Sequence, residues 1–292
     1  MIKSYQIIFL LPFFLFLLSC SDQEDGPVMP QQTQKPEQIH ILAFGNSYSH
    51  DAMEQYLYDL FKAEGIEAVI GNMFIAGCNL ETHWENISEN NNSYFYFKNT
   101  DGKMKLISNS YGLADAIKDE NWDVITLQQN SILSWDYSSY DPYLQNLIDW
   151  IRAHSDAKIM FHQTWAYSED LIDQSFSHNI KSQNLMYENI TESVKKALQD
   201  HTQIYDIIPA GTAIQNGRSS YLGDTFNRDG THLEITYGRF TAACTWYEKL
   251  SGISVLDNPY DPGFDLKQVS VAKNAAHFAV ENPFSLTDMS GF

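Results

Sequence analysis

The chain has 292 residues and a formal net charge of -19, with 18 Lys and Arg against 37 Asp and Glu. No basic run follows the first residues, which argues against nucleic acid and polybasic membrane attachment, since both need clustered Lys and Arg. A 43% hydrophobic content is enough to bury a sizeable core.

The N-terminus reads as an address. Lys3 precedes an apolar run from Ile7 to Leu18, followed by Ser19-Cys20. The run is too short for a comfortable membrane span, and its parts are those of a secretory signal. Leu17-Leu18-Ser19-Cys20 resembles a bacterial lipobox, in which Cys20 becomes the lipidated first residue of the exported protein. Residues 1–19 are therefore expected to be a signal peptide. Residues 20–36, rich in Gln, Pro and acids, are expected to be a flexible linker, and 37–292 a single domain. Cys78 and Cys244 remain, either as a disulfide or as two separate buried thiols. The nine histidines are scattered, with no HExxH and no close Cys pair, so neither a metal nor a cofactor is expected.

Along the domain, strand and helix patterns alternate. His40–Phe44 is a first strand, Asp51–Ala63 a helix closed by Gly65, and Ile66–Ile75 a second strand. Leu80–Asn86 is a short helical turn. Tyr94–Phe97 and Lys103–Ile107, separated by Asn99-Thr100-Asp101-Gly102, read as an inserted hairpin. Ala114–Lys118 is a short helix, Trp122–Leu127 a third strand and Pro142–His154 a helix. A fourth strand follows at Ala157–Phe161, a long helix at His178–Gln199 and a fifth strand at Gln203–Ile207. Helices at Ile235–Leu250 and Leu266–Val280 complete the chain. The pattern predicts an α/β fold of flavodoxin-like, three-layer type, with a five-stranded parallel sheet in the order 2-1-3-4-5 and the hairpin as an addition.

Ligands bind such sheets at the carboxyl ends of the strands, and four segments there carry chemistry. Gly45-Asn46-Ser47 follows the first strand and places a serine at the tip of a turn. Ala76-Gly77-Cys78 follows the second, where glycine lets the backbone turn an N–H into a cleft. Gln128-Gln129-Asn130 follows the third and offers amide donors of the kind used in oxyanion holes. Asp229-Gly230-Thr231-His232 lies in a turn before a helix, with the carboxylate three residues ahead of the imidazole. Serine, histidine and aspartate together supply a nucleophile, a base and an orienter of the base. Each segment alone is also an ordinary turn or helix cap.

Together they resemble the SGNH (GDSL-like) hydrolase superfamily, over about Ile39–Leu250. Phe44-Gly45-Asn46-Ser47, Ala76 to His83, Leu127-Gln128-Gln129-Asn130 and Ala242 to Glu248 resemble its DUF4886-type branch more narrowly. The resemblance implies Ser47 as nucleophile, His232 as base and Asp229 as its orienter, with Ser47, Gly77 and Asn130 forming the oxyanion hole. It implies a Ser-His-Asp esterase acting on a small-molecule or glycan ester, most naturally an acetyl group on a carbohydrate. An acyl-lipid or aryl esterase, or a non-catalytic glycan-binding surface protein, is the alternative. The acidic stretch after Cys20 is similar to the tether of Bacteroides-type outer-membrane lipoproteins, so the only membrane contact expected is a lipid anchor, on the periplasmic side or the cell surface. Two positions depart from the superfamily pattern. Asn46 stands where Asp is usual, and Gln128 where Gly is usual. Gln128 and Gln129 are read either as stand-ins for Asn130 in the oxyanion hole or as substrate contacts, and Gln163 and Trp165 either as substrate contacts or as packing. The aromatics of the inserted loops are expected either to stack on sugar rings or to pack.

Overall fold

Strands form where β-branched and aromatic residues can be buried on both faces of a sheet. The computed structural model describes residues 35–175 and 180–292. The signal segment, Cys20, most of the linker and residues 176–179 lie outside the described residues.

The strands are β1 (Gln38–Gly45), β2 (Glu67–Phe74), β3 (Tyr94–Asn99), β4 (Lys105–Tyr111), β5 (Val124–Leu127), β6 (Lys158–His162) and β7 (Ile204–Ile208). They form one sheet in the order β4-β3-β2-β1-β5-β6-β7. The parallel part, β2-β1-β5-β6-β7, has the expected 2-1-3-4-5 order. The sheet has seven strands and not five, because the hairpin joins it. β3 pairs antiparallel with β2, and β4 with β3. The free backbone groups along the edge of β2 are thereby paired.

The helices are α1 (Ser47–Met53), α2 (Leu57–Ala63), α3 (Leu80–Ser88), α4 (Leu113–Asp119), α5 (Tyr143–His154), α6 (Glu169–Ser175), α7 (Gln183–Asp200), α8 (Ala210–Arg218), α9 (Tyr237–Ser251) and α10 (Leu266–Glu281). Side chains of a strand alternate between its faces. Ile41 and Ala43 of β1 enter one core with Leu57, Phe61 and Phe240. Leu42 and Phe44 enter the other with Leu144, Ile148 and Phe161. Lys35–Phe292 is one structural unit.

Two expectations change, and one open choice is decided. The helix expected over Asp51–Ala63 starts at Ser47 and breaks at 54–56 into α1 and α2. The break turns Tyr56 inward, edge-on to Phe240 at 5.3 Å. Two helices, α6 and α8, were not read from the sequence, and α8 is buried along its whole length, so it has no polar face to reveal a period. Cys78 and Cys244 are both free, buried thiols. Among the described residues, no helix is long and apolar enough to cross a membrane.

Candidate functional site

Ser47 owes its position to the residue before it. Asn46 is the N-cap of α1, and its Oδ1 accepts from the Tyr48 N–H at 2.9 Å. Asn is among the best N-cap residues because its side chain satisfies one of the orphan amides of the first turn. Ser47 is then the first helical residue, partly buried at the carboxyl end of β1. Among the described residues its hydroxyl has no hydrogen-bond partner. Its backbone N–H belongs to the first turn, which has no intrahelical acceptor.

Gly77 follows β2 with φ +66, a left-handed conformation that favours glycine. The same turn is closed by Cys78 N–H donating to Ile75 O at 3.1 Å. Asn130 follows β5 and donates through Nδ2 to Gly77 O at 3.0 Å, while its Oδ1 accepts from Leu133 N–H at 3.0 Å. One of its two amide hydrogens is therefore engaged, and the other is available.

Asp229 and His232 share a tight turn between 226 and 234. His232 Nδ1 donates to Asp229 Oδ2 at 2.7 Å. Asp229 Oδ1 accepts the backbone N–H groups of His232 at 2.7 Å and Thr231 at 3.0 Å. Burial works to raise the Asp229 pKa, but these donors outweigh it and hold the carboxyl below its usual range. An ionised Asp229 fixes the proton on Nδ1 and leaves Nε2 as the basic nitrogen. Gly230, at φ +83, forms the tip of the turn, and its carbonyl accepts from Ser168 N–H at 2.9 Å.

Two side chains join the turn to α1. The first is Asp51, one helical turn after Ser47 and 2% exposed. Its carboxylate accepts from Leu233 N–H at 2.8 Å, from Arg228 at 3.1 Å and from Arg239 at 2.7 Å. Arg228 also donates to Leu233 O. The second is Trp165, whose ring stacks on Tyr48 at 4.2 Å while its Nε1 donates to Thr231 O at 2.9 Å. On the other side of Ser47, Asn46 Nδ2 donates to Cys78 O at 2.8 Å. All four sequence segments thus meet around the start of α1.

All four candidate substrate contacts are buried. Gln128 and Gln129 are each 1% exposed, and Gln163 and Trp165 are 0% exposed. Gln128 bonds to Asn46 and His162. Gln129 receives the Leu80 and Asn130 N–H groups and donates to Ser139. Gln163 holds Thr212 and Thr191. These amides sew strand ends together and do not face solvent.

Asp51, Arg228 and Arg239 were missed. Arg228 directly precedes the Asp229–His232 motif, but nothing in the sequence says which carboxylate it meets. An aromatic surface also flanks α1. His50 lies 5.4 Å from Phe74 and 5.3 Å from Phe97, and Phe74 lies 6.4 Å from Phe95, a residue that is 44% exposed. Among the described residues, no cluster of three or more His, Cys, Asp or Glu could hold a metal ion.

Comparison with known proteins places this geometry in context. A family model described as Domain of unknown function (DUF4886) matches residues 40–279. The crystal structure of a DUF4886 family protein from Bacteroides uniformis is 46% identical, covers 86% of this chain and 98% of its own, and superposes with a TM-score of 0.83. A lipase/acylhydrolase from Enterococcus faecalis is 13% identical over 73% of this chain and 96% of its own, with a TM-score of 0.47. A catalytic mutant of an acetylxylan esterase from Geobacillus stearothermophilus is 10% identical over 79% of this chain and 96% of its own, with a TM-score of 0.45. Both of these likenesses are too distant to indicate an activity. No curated protein matches the sequence.

Two predictions concern the joint. Asp51→Asn keeps an acceptor for Leu233 N–H but leaves Arg228 without its anion and Arg239 with Glu54 alone, so it should cost about 1.5–3 kcal/mol in denaturant unfolding. An unchanged midpoint would contradict the joint. Glu54 receives His50 and Arg239, and the hydrogen bond from His50 foremost lowers its pKa from 4.5 to about 2. Its folded pKa is depressed, so its stabilisation is complete above 4.5 and is lost as pH falls toward 2. The stability difference between wild type and Glu54→Gln should be level at neutral pH and close across that acid window. A difference independent of pH would refute the assignment.

Proposed function

Because the chain belongs to the DUF4886 family, whose description carries no activity, its function is read from the site, and we propose a serine esterase of SGNH type that removes acetyl or other short acyl groups from carbohydrates. The observation that carries this reading is the His232 Nδ1 to Asp229 bond at 2.7 Å, in a turn tied through Asp51 to the helix that begins with Ser47.

In this mechanism Ser47 Oγ attacks the acyl carbonyl carbon and His232 Nε2 takes the hydroxyl proton. Asp229 stabilises the imidazolium and keeps its orientation. The developing oxyanion accepts from the Ser47 and Gly77 N–H groups and from the free Nδ2 hydrogen of Asn130. The tetrahedral intermediate collapses, its C–O bond to the sugar breaks, and the imidazolium protonates the departing alkoxide. Water, deprotonated by His232, then attacks the acyl-Ser47 ester and releases the carboxylic acid. Ser47 and His232 are not hydrogen-bonded in the free protein, and catalytic contacts of this kind tighten when substrate binds.

Support for a carbohydrate comes from the half-exposed Phe95 beside Phe74, Phe97 and His50, an aromatic face next to α1 that suits a sugar ring. We also infer that lipid on Cys20 holds the enzyme at the outer membrane, a reading that rests on the Leu17–Cys20 sequence.

Wild type should hydrolyse p-nitrophenyl acetate and release acetate from acetylated xylan, and Ser47→Ala should do neither. Equal rates in the two proteins would sink the catalytic reading. Asn130→Ala should lower kcat about 10²–10³-fold. A loss under threefold would remove Asn130 from the oxyanion hole.

A further inference from the structure

The hydrogen bonds behind Ser47 leave no freedom in how they run. Asn46 is fixed at both ends by backbone. Its oxygen must face the Tyr48 N–H, and its NH2 must face the Cys78 carbonyl. Gln128 lies 2.5 Å from that same oxygen, so it must present its own NH2 there. The oxygen of Gln128 is then left to face His162 Nδ1, at 2.7 Å, and can only accept. His162 must therefore carry its proton on Nδ1 and leave Nε2 bare. The ring is completely buried against Trp165 and Trp246 and is neutral, because burial lowers its pKa to about 3.

This chain of donors runs from β6 through β5 to the turn after β1 and ends on Cys78 O, the residue after Gly77. It joins the two positions where the sequence departs from the superfamily pattern, Asn46 and Gln128, in direct contact. We propose that His162, Gln128 and Asn46 form a buried amide relay that positions the Gly77–Cys78 turn for catalysis, and that it works only with a neutral hydrogen-bond donor at both 46 and 128. The proposal rests on the esterase reading for its effect on rate. The three are positioning residues, and none touches the substrate.

The physical reason is the sign of each contact. Asp at 46 would set a carboxylate oxygen against the Cys78 carbonyl. Glu at 128 would set one against Asn46 Oδ1. In a buried site two facing acceptors repel strongly and stay unsatisfied. The turn would shift to relieve this, and a displacement of about 1 Å at a catalytic group costs about 10²-fold in rate.

Asn46→Asp and Gln128→Glu each replace one NH2 by oxygen. With p-nitrophenyl acetate at pH 8, each should lower kcat about 10- to 100-fold with KM within about twofold. The loss should shrink as pH falls and the new carboxyl becomes protonated and able to donate. The titratable groups packed on the relay do not interfere. His162 stays neutral, and burial pushes Cys78 up to about 12 and Tyr48 well above its ordinary value. Farther out, Asp51 is paired with Arg228 and Arg239, and buried His83 is lowered to about 3. Variants that match wild type within twofold across pH would overturn the positioning role. If a variant does not fold, the wild type still decides the relay through the ring 15N shifts of His162. They should report protonated Nδ1 and bare Nε2, unchanged from pH 5 to 8. The opposite tautomer or an imidazolium would overturn the relay whether or not any ester is hydrolysed. A wild type no faster than Ser47→Ala would instead overturn the esterase reading, and with it the role in rate.

Discussion

The site depends on one buried carboxylate. Asp51 belongs to the helix that begins with Ser47, and it holds the turn that carries His232. Helix and turn lie far apart in the chain, so local folding cannot set their distance. A charged acceptor with three donors can. Burial of a lone carboxylate would be prohibitive. Here two guanidiniums and a backbone N–H satisfy it, and Arg239 brings α9 into the same knot. Neither arginine is fully buried, which limits the desolvation cost that often cancels the gain of a buried ion pair.

The two halves of the site are built from different materials. The half around His232 is tied by charges: Asp229 to His232, and Asp51 to two arginines. The half around Gly77 and Asn130 is tied by neutral amides, namely Asn46, Gln128, Gln129 and Asn130. In the proposed mechanism charge suits the first half, because a proton must be drawn onto His232 and held there. Neutral donors suit the second, because an oxyanion would be repelled by any carboxylate among them.

Much of this was legible in the sequence. The strand ends could be located from alternating apolar runs, and Ser47, Gly77 and Asn130 follow β1, β2 and β5 in order, whereas Asp229-x-x-His232 lies beyond α8, in the turn before α9. The failures have a common physical origin. A residue at a strand end points either into the cleft or back into the protein, and one position decides which. Gln128 and Gln129 precede Asn130 and are buried, while Asn130 itself is partly open. Gln163 and Trp165 have the composition of a binding site, but they turn inward to hold Thr212 and Thr231. The Asp51 joint was invisible because it pairs residues more than 170 positions apart, and no local pattern marks one carboxylate among 37.

The central claim is that Ser47 is a nucleophile made reactive by His232. The most direct measurement is the rate at which a fluorophosphonate labels the protein, with the modified residue mapped by peptide mass spectrometry. The account predicts a single adduct on Ser47 that forms quickly in wild type and at least 10²-fold more slowly in His232→Ala. An unlabelled Ser47, or labelling at the same rate in both proteins, would contradict it.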